Sequence, residues 1–513
     1  MKNSSSWIRS ASACWLLAGM LVLVGVVLRL PRLTQTIWFD EAFRTFVVMK
    51  PEAIRNLLLH DVHNPLYNAF MYCWIRVAGD SEVAIRLPTL FAGTGMILIV
   101  WRWLRDRFGP REAWWAAVFL TINPVHIWYS CEAKNNMFTV FFVTLALWRL
   151  DALARALSAR DVALAAIAGS LAIWTDFQSL LVLPVVWITW TIIQARDTRR
   201  QRSWMVPVAA AAGSLLLASP LMLFKAQRLD DLHRDYLAYF HWYEPLRMLL
   251  VYFPTGNALV PTVRATWPLA ALAFAPLVAP ALLWGMFKLR VVSHGRVLLV
   301  ALFTPLLIMW AASEALVQLG SSVRIFQDRN VLVMLPAVAI TLAVGAFSLR
   351  TRTGIVLSRW GILALTLASS IALVTVHRNE RTVMYPNSHW RQAATWINAH
   401  ASGQRIPIIS RTPLLALEYY LPNDRILQLS PRRRLEDTLP DLLAREQFTP
   451  ATEFYFIQHA FWASYREESL AWIDANFETL ASHEEFDLVI RRLRPRAMPL
   501  PVPPPPAAVD PAN

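Results

Sequence analysis

The stretch ACWLLAGMLVLVGVVLRL, residues 13–30, decides what kind of protein this is. An apolar run of that length makes a helix of about 27 Å at ~1.5 Å per residue, close to the hydrocarbon core of a bilayer, roughly 30 Å. It is followed by ten more runs of the same kind, at about 84–104, 113–130, 136–150, 162–177, 179–194, 204–224, 267–287, 297–317, 330–348 and 360–376. Only Asp176 to Gln178 separate the 162–177 and 179–194 runs. The sequence therefore predicts an α-helical polytopic membrane protein with about eleven transmembrane helices, occupying residues 1–376. The first run follows Lys2 and Arg9 but has no small-residue cleavage site behind it, so it reads as a signal anchor.

Composition agrees. Of 513 residues, 56% are hydrophobic and 16% charged, against about 25% charged in an average soluble domain. A soluble enzyme, a disordered chain and a disulfide scaffold are all excluded by these values and by a count of three cysteines. Cys14, Cys73 and Cys131 have no metal or redox spacing, and a Cys73–Cys131 bond is the one pairing left open.

A net charge of +14 raises the question of nucleic acid, and the placement of the basic residues answers it. Loops 1–11, 105–112, 151–161, 195–203, 288–296 and 349–359 hold 17 Lys and Arg in 59 residues, whereas the alternate set holds 13 in 114. That asymmetry is the positive-inside pattern. It predicts a cytoplasmic N-terminus, a C-terminal domain on the periplasmic or extracellular side of a bacterial inner membrane, and no nucleic-acid partner.

From His377 the composition is that of a soluble domain. Strand-like runs at Ile406–Ser410, Arg425–Leu429, Glu453–Gln458 and Asp487–Arg491 alternate with helical stretches at Trp390–His400, Thr438–Gln447 and Glu468–Asn476. This predicts a small α/β extracytoplasmic domain over 377–494. Residues 495–513 are proline-rich and read as a disordered tail.

The first outer loop, 31–83, is too apolar for a linker. Ala42–His60 and Tyr67–Val77 read as amphipathic helices lying at the interface. Asp40-Glu41 opens the first of them, where Asp40 suits an N-cap and, equally, a carboxylate facing a lipid head group. In His63-Asn64-Pro65, Pro65 suits the first turn of the second helix. Glu132 and Lys134 lie between the third and fourth spans, as a loop ion pair or part of a site. Arg86 opens the second span and Arg329 the tenth, where snorkelling is the ordinary role. All of these residues fall at one membrane face, so a site with acids and several cations is an open reading.

Taken in order, Trp38-Phe39-Asp40-Glu41, His63-Asn64-Pro65-Leu66-Tyr67, Gly79-Asp80-Ser81-Glu82, Ile85-Arg86-Leu87-Pro88 and Pro124-Val125-His126 through Ser130-Cys131-Glu132-Ala133-Lys134 resemble a known family. They are similar to bacterial members of the protein O-mannosyltransferase and lipid A aminoarabinosyltransferase family, GT-C glycosyltransferases that use polyprenyl-phosphate sugars. The resemblance is dense over 31–140 and extends to Arg329, Pro336 and Trp390–Ile397. It implies a GT-C fold, a catalytic Asp40 with Glu41 as its neighbour, and Glu132 as the acid of the second outer loop. The chain departs from the pattern at Asn64, at Lys134 where Arg is usual, and at Asp176 where a His-Tyr pair is common.

The resemblance also implies a reaction. Asp40 would remove the proton of an acceptor hydroxyl as it attacks the anomeric carbon, inverting that centre. Arg86, Lys134 and Arg329, with His63 as a weaker member, would meet the charge of the departing polyprenyl phosphate. The partners expected are that lipid-linked donor, an acceptor that is lipid, glycan or protein, and the bilayer. No cofactor is required by the pattern; a divalent metal ion at Glu132 is an open alternative, and no metal ligands are assigned. The rival reading is a transporter or flippase of lipid-linked sugars, which eleven spans fit equally well.

Overall fold

The computed structural model describes residues 11–49, 65–153, 158–176, 179–195, 205–226, 243–256, 267–319, 326, 328–378, 389–401, 406–411, 414–422, 425–429, 434–459, 467–485 and 488–496. The proline-rich tail beyond 496, the loop containing His63 and the far end of the first expected amphipathic helix lie outside this set. The chain divides into two units. One comprises residues 1–35 and 47–385, the other residues 36–46 and 386–513.

In the first unit every expected apolar run is helical over its described residues, except for a break at Asn123 and the extended Asp176 at the end of the 162–177 run. The elements needed below are α1 (Ala11–Leu33), α2 (Phe39–Met49, which crosses from the second unit into the first), α3 (Pro65–Ala78), α4 (Glu82–Arg107), α5 (Pro110–Ile122), α6 (Pro124–Ser130) and α7 (Asn136–Leu153). Among the described residues seven helices are long and apolar enough to cross a membrane, and Val182–Ile193 and Val208–Pro220 are shorter apolar helices. The 113–130 run is not one helix but the end of α5 and all of α6. Pro124 disfavours the helical conformation at Asn123, which is extended at φ −73°, ψ 125°, and Asn123 caps α6 instead.

Local sequence sets the other boundaries near the site. Pro65 takes the first position of α3, as expected, and Gly79 ends that helix with φ +82°, a value few side chains tolerate. Ser81 then caps α4 by accepting the Ala84 N–H at 3.3 Å. α4 is the central element of this end of the molecule. It packs on α1, α5, α6 and α7, and most of its residues from Ala84 to Leu104 are buried.

The far end of α4 is held by a buried ion pair. Arg107 Nε and Nη2 grip the two oxygens of Asp151, on α7, at 2.5 and 2.7 Å, and Trp103 Nε1 adds a third hydrogen bond at 2.8 Å. All three cysteines are thiols, Cys14 and Cys131 buried and Cys73 exposed, so the Cys73–Cys131 bond is not formed.

In the second unit the C-terminal residues form a five-stranded sheet: β1 (Ile408–Ser410), β2 (Ile426–Gln428), β3 (Phe454–His459), β4 (Phe477–Glu485) and β5 (Leu488–Pro495), in the order β2-β1-β3-β5-β4. β1 runs parallel to β2 and β3, while β5 is antiparallel to β3 and β4. Helices Trp390–His400, Leu415–Tyr420, Leu435–Arg445 and Glu467–Asn476 accompany it, and Ile409, Leu439, Phe454, Phe456, Phe477 and Leu493 form its core. β4 and Leu415–Tyr420 are additions to the expected elements. β4 exposes most of its side chains, and its FETLASHEE sequence lacks the alternation that marks a half-buried strand.

Because Asp151 is the acceptor for a nearly buried guanidinium, Asp151→Ala should cost on the order of 3 kcal/mol, as breaking a buried pair generally does. Thermal unfolding in detergent should place that variant well below the double variant Arg107→Met/Asp151→Leu. Equal stabilities would mean that the pair carries no such penalty.

Candidate active site

The end of α1 is built from a conflict. A helix leaves its last carbonyls without intrahelical partners, and Pro31, inside α1, removes one further N–H. Arg86, one turn into α4 and 2% exposed, resolves it. Its Nη1 donates to the carbonyls of Arg32, Leu33 and Gln35 at 3.2, 3.0 and 2.6 Å. Beside it the Arg32 guanidinium lies over the Trp128 ring at 3.8 Å. Leu33, Leu90 and Cys131 form a small apolar cluster under the same turn. Arg86, expected either at the interface or on a phosphate, is thus buried with Nη1 on backbone oxygens.

The loop after α6 carries the second acid. Glu132 and Lys134 are 6% and 8% exposed, so the pair is no solvated loop contact. Their backbone turns tightly, the Lys134 N–H reaching the Glu132 carbonyl at 2.7 Å. Asn136, at the start of α7, donates to Glu132 Oε2 at 3.4 Å, and Asn135 donates to Asp176 Oδ2 at 2.9 Å. Asp176, the departure from the family pattern, therefore joins the same polar group. It sits where helix Ala159–Thr175 ends.

Arg329 lies in a 3-10 turn, Asp328–Met334, that packs on α7 and leads into helix Leu335–Ser348. The Asp328 carboxylate holds this turn by accepting the Arg329 N–H at 2.9 Å and the Tyr252 hydroxyl at 2.9 Å. Tyr252 is fully buried and closes a π turn, Met248–Tyr252, a distortion that often accompanies functional sites. Arg86 thus lies on α4, Glu132 and Lys134 in the turn between α6 and α7, and Arg329 in a turn that packs on α7.

Asp40 and Glu41 belong to the second unit, with the C-terminal sheet. The Ile37 N–H donates to the Tyr420 hydroxyl at 3.0 Å, and Thr36 Oγ1 meets Gln392 Oε1 at 3.5 Å. The helix begins at Phe39, two residues earlier than an Asp40 N-cap requires, so Asp40 is not its N-cap. Glu41 fills that function. Its Oε2 accepts the Trp38 N–H at 3.3 Å, the reach-back half of a capping box, and it is 1% exposed. Asp40 is only half-buried, in a first turn whose N–H groups favour a carboxylate. His63 lies outside the described residues. Among the described residues no group of three or more metal-ligating side chains is found.

The sequence reading passed over two polar residues. Arg29, in α1, and His126, in α6, are both fully buried and in contact. Arg29 was absorbed into an apolar window, and His126 was read only as part of a motif.

Known proteins bear on this arrangement. Over 94% of its length the chain superposes on 98% of ArnT from Cupriavidus metallidurans in the apo state, with a TM-score of 0.60 and 12% identity. The structure of that protein bound to undecaprenyl phosphate gives 0.57 at 13% identity, again with 94% and 98% covered. AglB, the archaeal oligosaccharyltransferase from Archaeoglobus fulgidus, in complex with an inhibitory peptide and a dolichol-phosphate, gives 0.53 at 13% identity, covering 95% of this chain and 74% of that one. At such identities the likeness is one of fold, that of the polytopic GT-C membrane proteins. Residues 62–224 match the family model of dolichyl-phosphate-mannose-protein mannosyltransferase. Among curated proteins none matches the chain in sequence.

Replacing Arg86 by Met would remove the side-chain donor of the Leu33 and Gln35 carbonyls, while the Arg32 carbonyl keeps the Gln35 N–H at 3.3 Å. The loss should be on the order of 3 kcal/mol, since hydrogen bonds from a charged donor contribute about 1.5–3 each. It would appear as a lowered melting temperature in detergent, partly restored by Arg86→Lys. Unchanged melting of the Met variant would remove the clamp.

Proposed function

We propose that this protein transfers a sugar from a polyprenyl-phosphate donor to an acceptor hydroxyl at the periplasmic or outer face of a bacterial inner membrane, with its N-terminus in the cytoplasm. The observation that carries the reading is the Glu132–Lys134 turn. It is a buried acid and a buried cation between α6 and α7, the second of which packs on the turn of Arg329, in a chain of GT-C fold. A cation at the end of apolar helices suits the phosphate of a membrane lipid. Two proteins of this fold were solved with such lipids, undecaprenyl phosphate and a dolichol-phosphate.

The chemistry follows from charge. The acceptor oxygen attacks the anomeric carbon and forms the new C–O bond while the bond to the phosphate oxygen breaks. Asp40, half-buried and outside the capping bond that occupies Glu41, takes the acceptor's proton. Glu41 keeps the helix start, and with it Asp40, in place. The electron pair leaves with the polyprenyl phosphate, where Lys134 and Arg329 stabilise it; Arg86 and His63 add positive charge to the same group. Displacement from the opposite side inverts the anomeric centre. Glu132 orients Lys134 or the acceptor.

The transferase domain is proposed to span 1–376 and the outer domain 377–494, which with residues 36–46 would present the acceptor. The sugar is a pentose, hexose or uronic acid, and the acceptor is lipid A or its core, a protein or another envelope glycan.

The test uses purified protein in detergent, a panel of polyprenyl-phosphate sugars, and mass spectrometry of donor and acceptor. Asp40→Asn should cut transfer by about 10²–10⁴-fold, the usual worth of a general base, with normal membrane insertion. Full activity in that variant removes Asp40 from the mechanism. Arg329→Ala should raise the donor KM or lower kcat, and neither changing refutes the phosphate role. Translocation of a donor without its consumption would favour a transporter.

A further inference from the structure

Arg29 is a cation in the middle of protein, 0% exposed, near the end of α1. A guanidinium offers donors and no acceptor. Its Nη1 donates to the Gly25 carbonyl at 2.7 Å and the Thr121 carbonyl at 3.2 Å, and its Nη2 lies 2.6 Å from His126 Nδ1. Nδ1 must therefore be the acceptor, which leaves the imidazole neutral with its proton on Nε2. His126 is also 0% exposed. Neither side chain reaches a surface on which donor or acceptor could lie, so both act through what they hold.

What they hold is α6. Its seven residues are all buried. Asn123 Oδ1 accepts the His126 N–H at 3.0 Å, and Asn123 Nδ2 donates to the Phe253 carbonyl at 2.6 Å. Ser130 Oγ donates to the His126 carbonyl at 2.5 Å, packed so closely on Gly93 of α4 that a Cβ there would collide with it. The next residue, Cys131, donates its thiol to the Arg29 carbonyl at 3.6 Å. α6 is thus tied to one residue of α1 twice, through the Arg29 side chain and through its carbonyl. Glu132 and Lys134 follow directly.

We infer that Arg29 and His126 are positioning residues that fix the rotation of α6, and through it the Glu132–Lys134 turn; the consequence for transfer rests on the function proposed above. Apolar packing is non-directional and would let a seven-residue helix turn about its axis. The Arg29–His126 bond is directional, and a misplacement of about 1 Å at a reacting group can cost ~10²-fold in rate.

The experiment uses the full chain with Cys14→Ala and Cys73→Ala, so that Cys131 is the only thiol. The Oδ1 of Asn in His126→Asn stands where Nδ1 stood, whereas the amide of Gln in His126→Gln stands nearer the position of Nε2. His126→Asn should keep kcat within about 5-fold and Cys131 protected from a maleimide. His126→Gln and Arg29→Met should lose on the order of 100-fold in kcat, with donor KM changing less, and should label at Cys131 at least about 10-fold faster. Equal turnover and equal labelling of the Asn and Gln variants would overturn the assignment, because a filler of space does not distinguish one ring nitrogen from the other. The labelling contrast needs no substrate. If the parent chain consumes none of the offered donors, the proposed function fails, and Cys131 protection alone decides the positioning role.

Discussion

Every polar group buried among apolar helices must find a partner inside the protein, and the end of α1 is where that constraint is hardest to meet. Its terminal carbonyls lack helical donors, Pro31 withholds another, and a loop of a different unit begins at Thr36. Arg86 supplies donors at that end, while Arg29 donates to a carbonyl inside α1 and to one of α5. Arg86 binds Arg32, Leu33 and Gln35, and Arg29 binds Gly25 and Thr121. The residues around them then have little freedom. The polar turns at Glu132–Lys134 and Asp328–Arg329 extend this frame, each held by a short-range bond to a neighbour rather than by solvent.

The helical architecture was legible because hydrocarbon tolerates few sequences: a run of some twenty apolar residues has hardly another fate. The same averaging that finds a span conceals a single charge inside it, and this is why Arg29 went unseen. The break at Asn123 was readable from Pro124, but hydropathy outweighed it in the 113–130 window. In the C-terminal unit, Trp390–His400 was read to the residue, since its apolar positions recur with helical spacing. β4 was not, because it is an edge strand that buries only Phe477 and so carries no apolar alternation. At the acidic pair the sequence named the right helix and the wrong cap. Asp and Glu both favour a first turn, and only the backbone frame, starting at Phe39, tells that Glu41 is the third helical residue and can reach back to Trp38.

The likeness to the GT-C glycosyltransferases rests on two observations of different kind. The fold likeness covers nearly the whole chain at low identity, while the family match is confined to 62–224. That interval contains Arg86, His126, Glu132, Lys134 and Asp176, the residues around which the first unit's polar network is built. Asp176 shows what fold likeness leaves undetermined. Its carboxylate is engaged by Asn135, one residue after Lys134, so a further acid joins the polar group around the proposed phosphate site.

Buried cations are poor devices for stability. Desolvating a guanidinium costs several kcal/mol, and replacing a buried charged group together with its partner by apolar residues of similar volume is often neutral or stabilising. A helix bundle that needed only to hold together would be served as well by Leu at 29 and 126, where the space is already closed to water. What an apolar pair cannot do is fix an angle. Arg29 and His126 specify one rotation of α6 about its axis, Arg86 specifies one exit for the chain beyond Leu33, and Asp328 specifies one conformation of the Arg329 turn. Three directional contacts, each beside a residue proposed to handle charge, are what a protein requires when the position of that charge matters more than the free energy of holding it there.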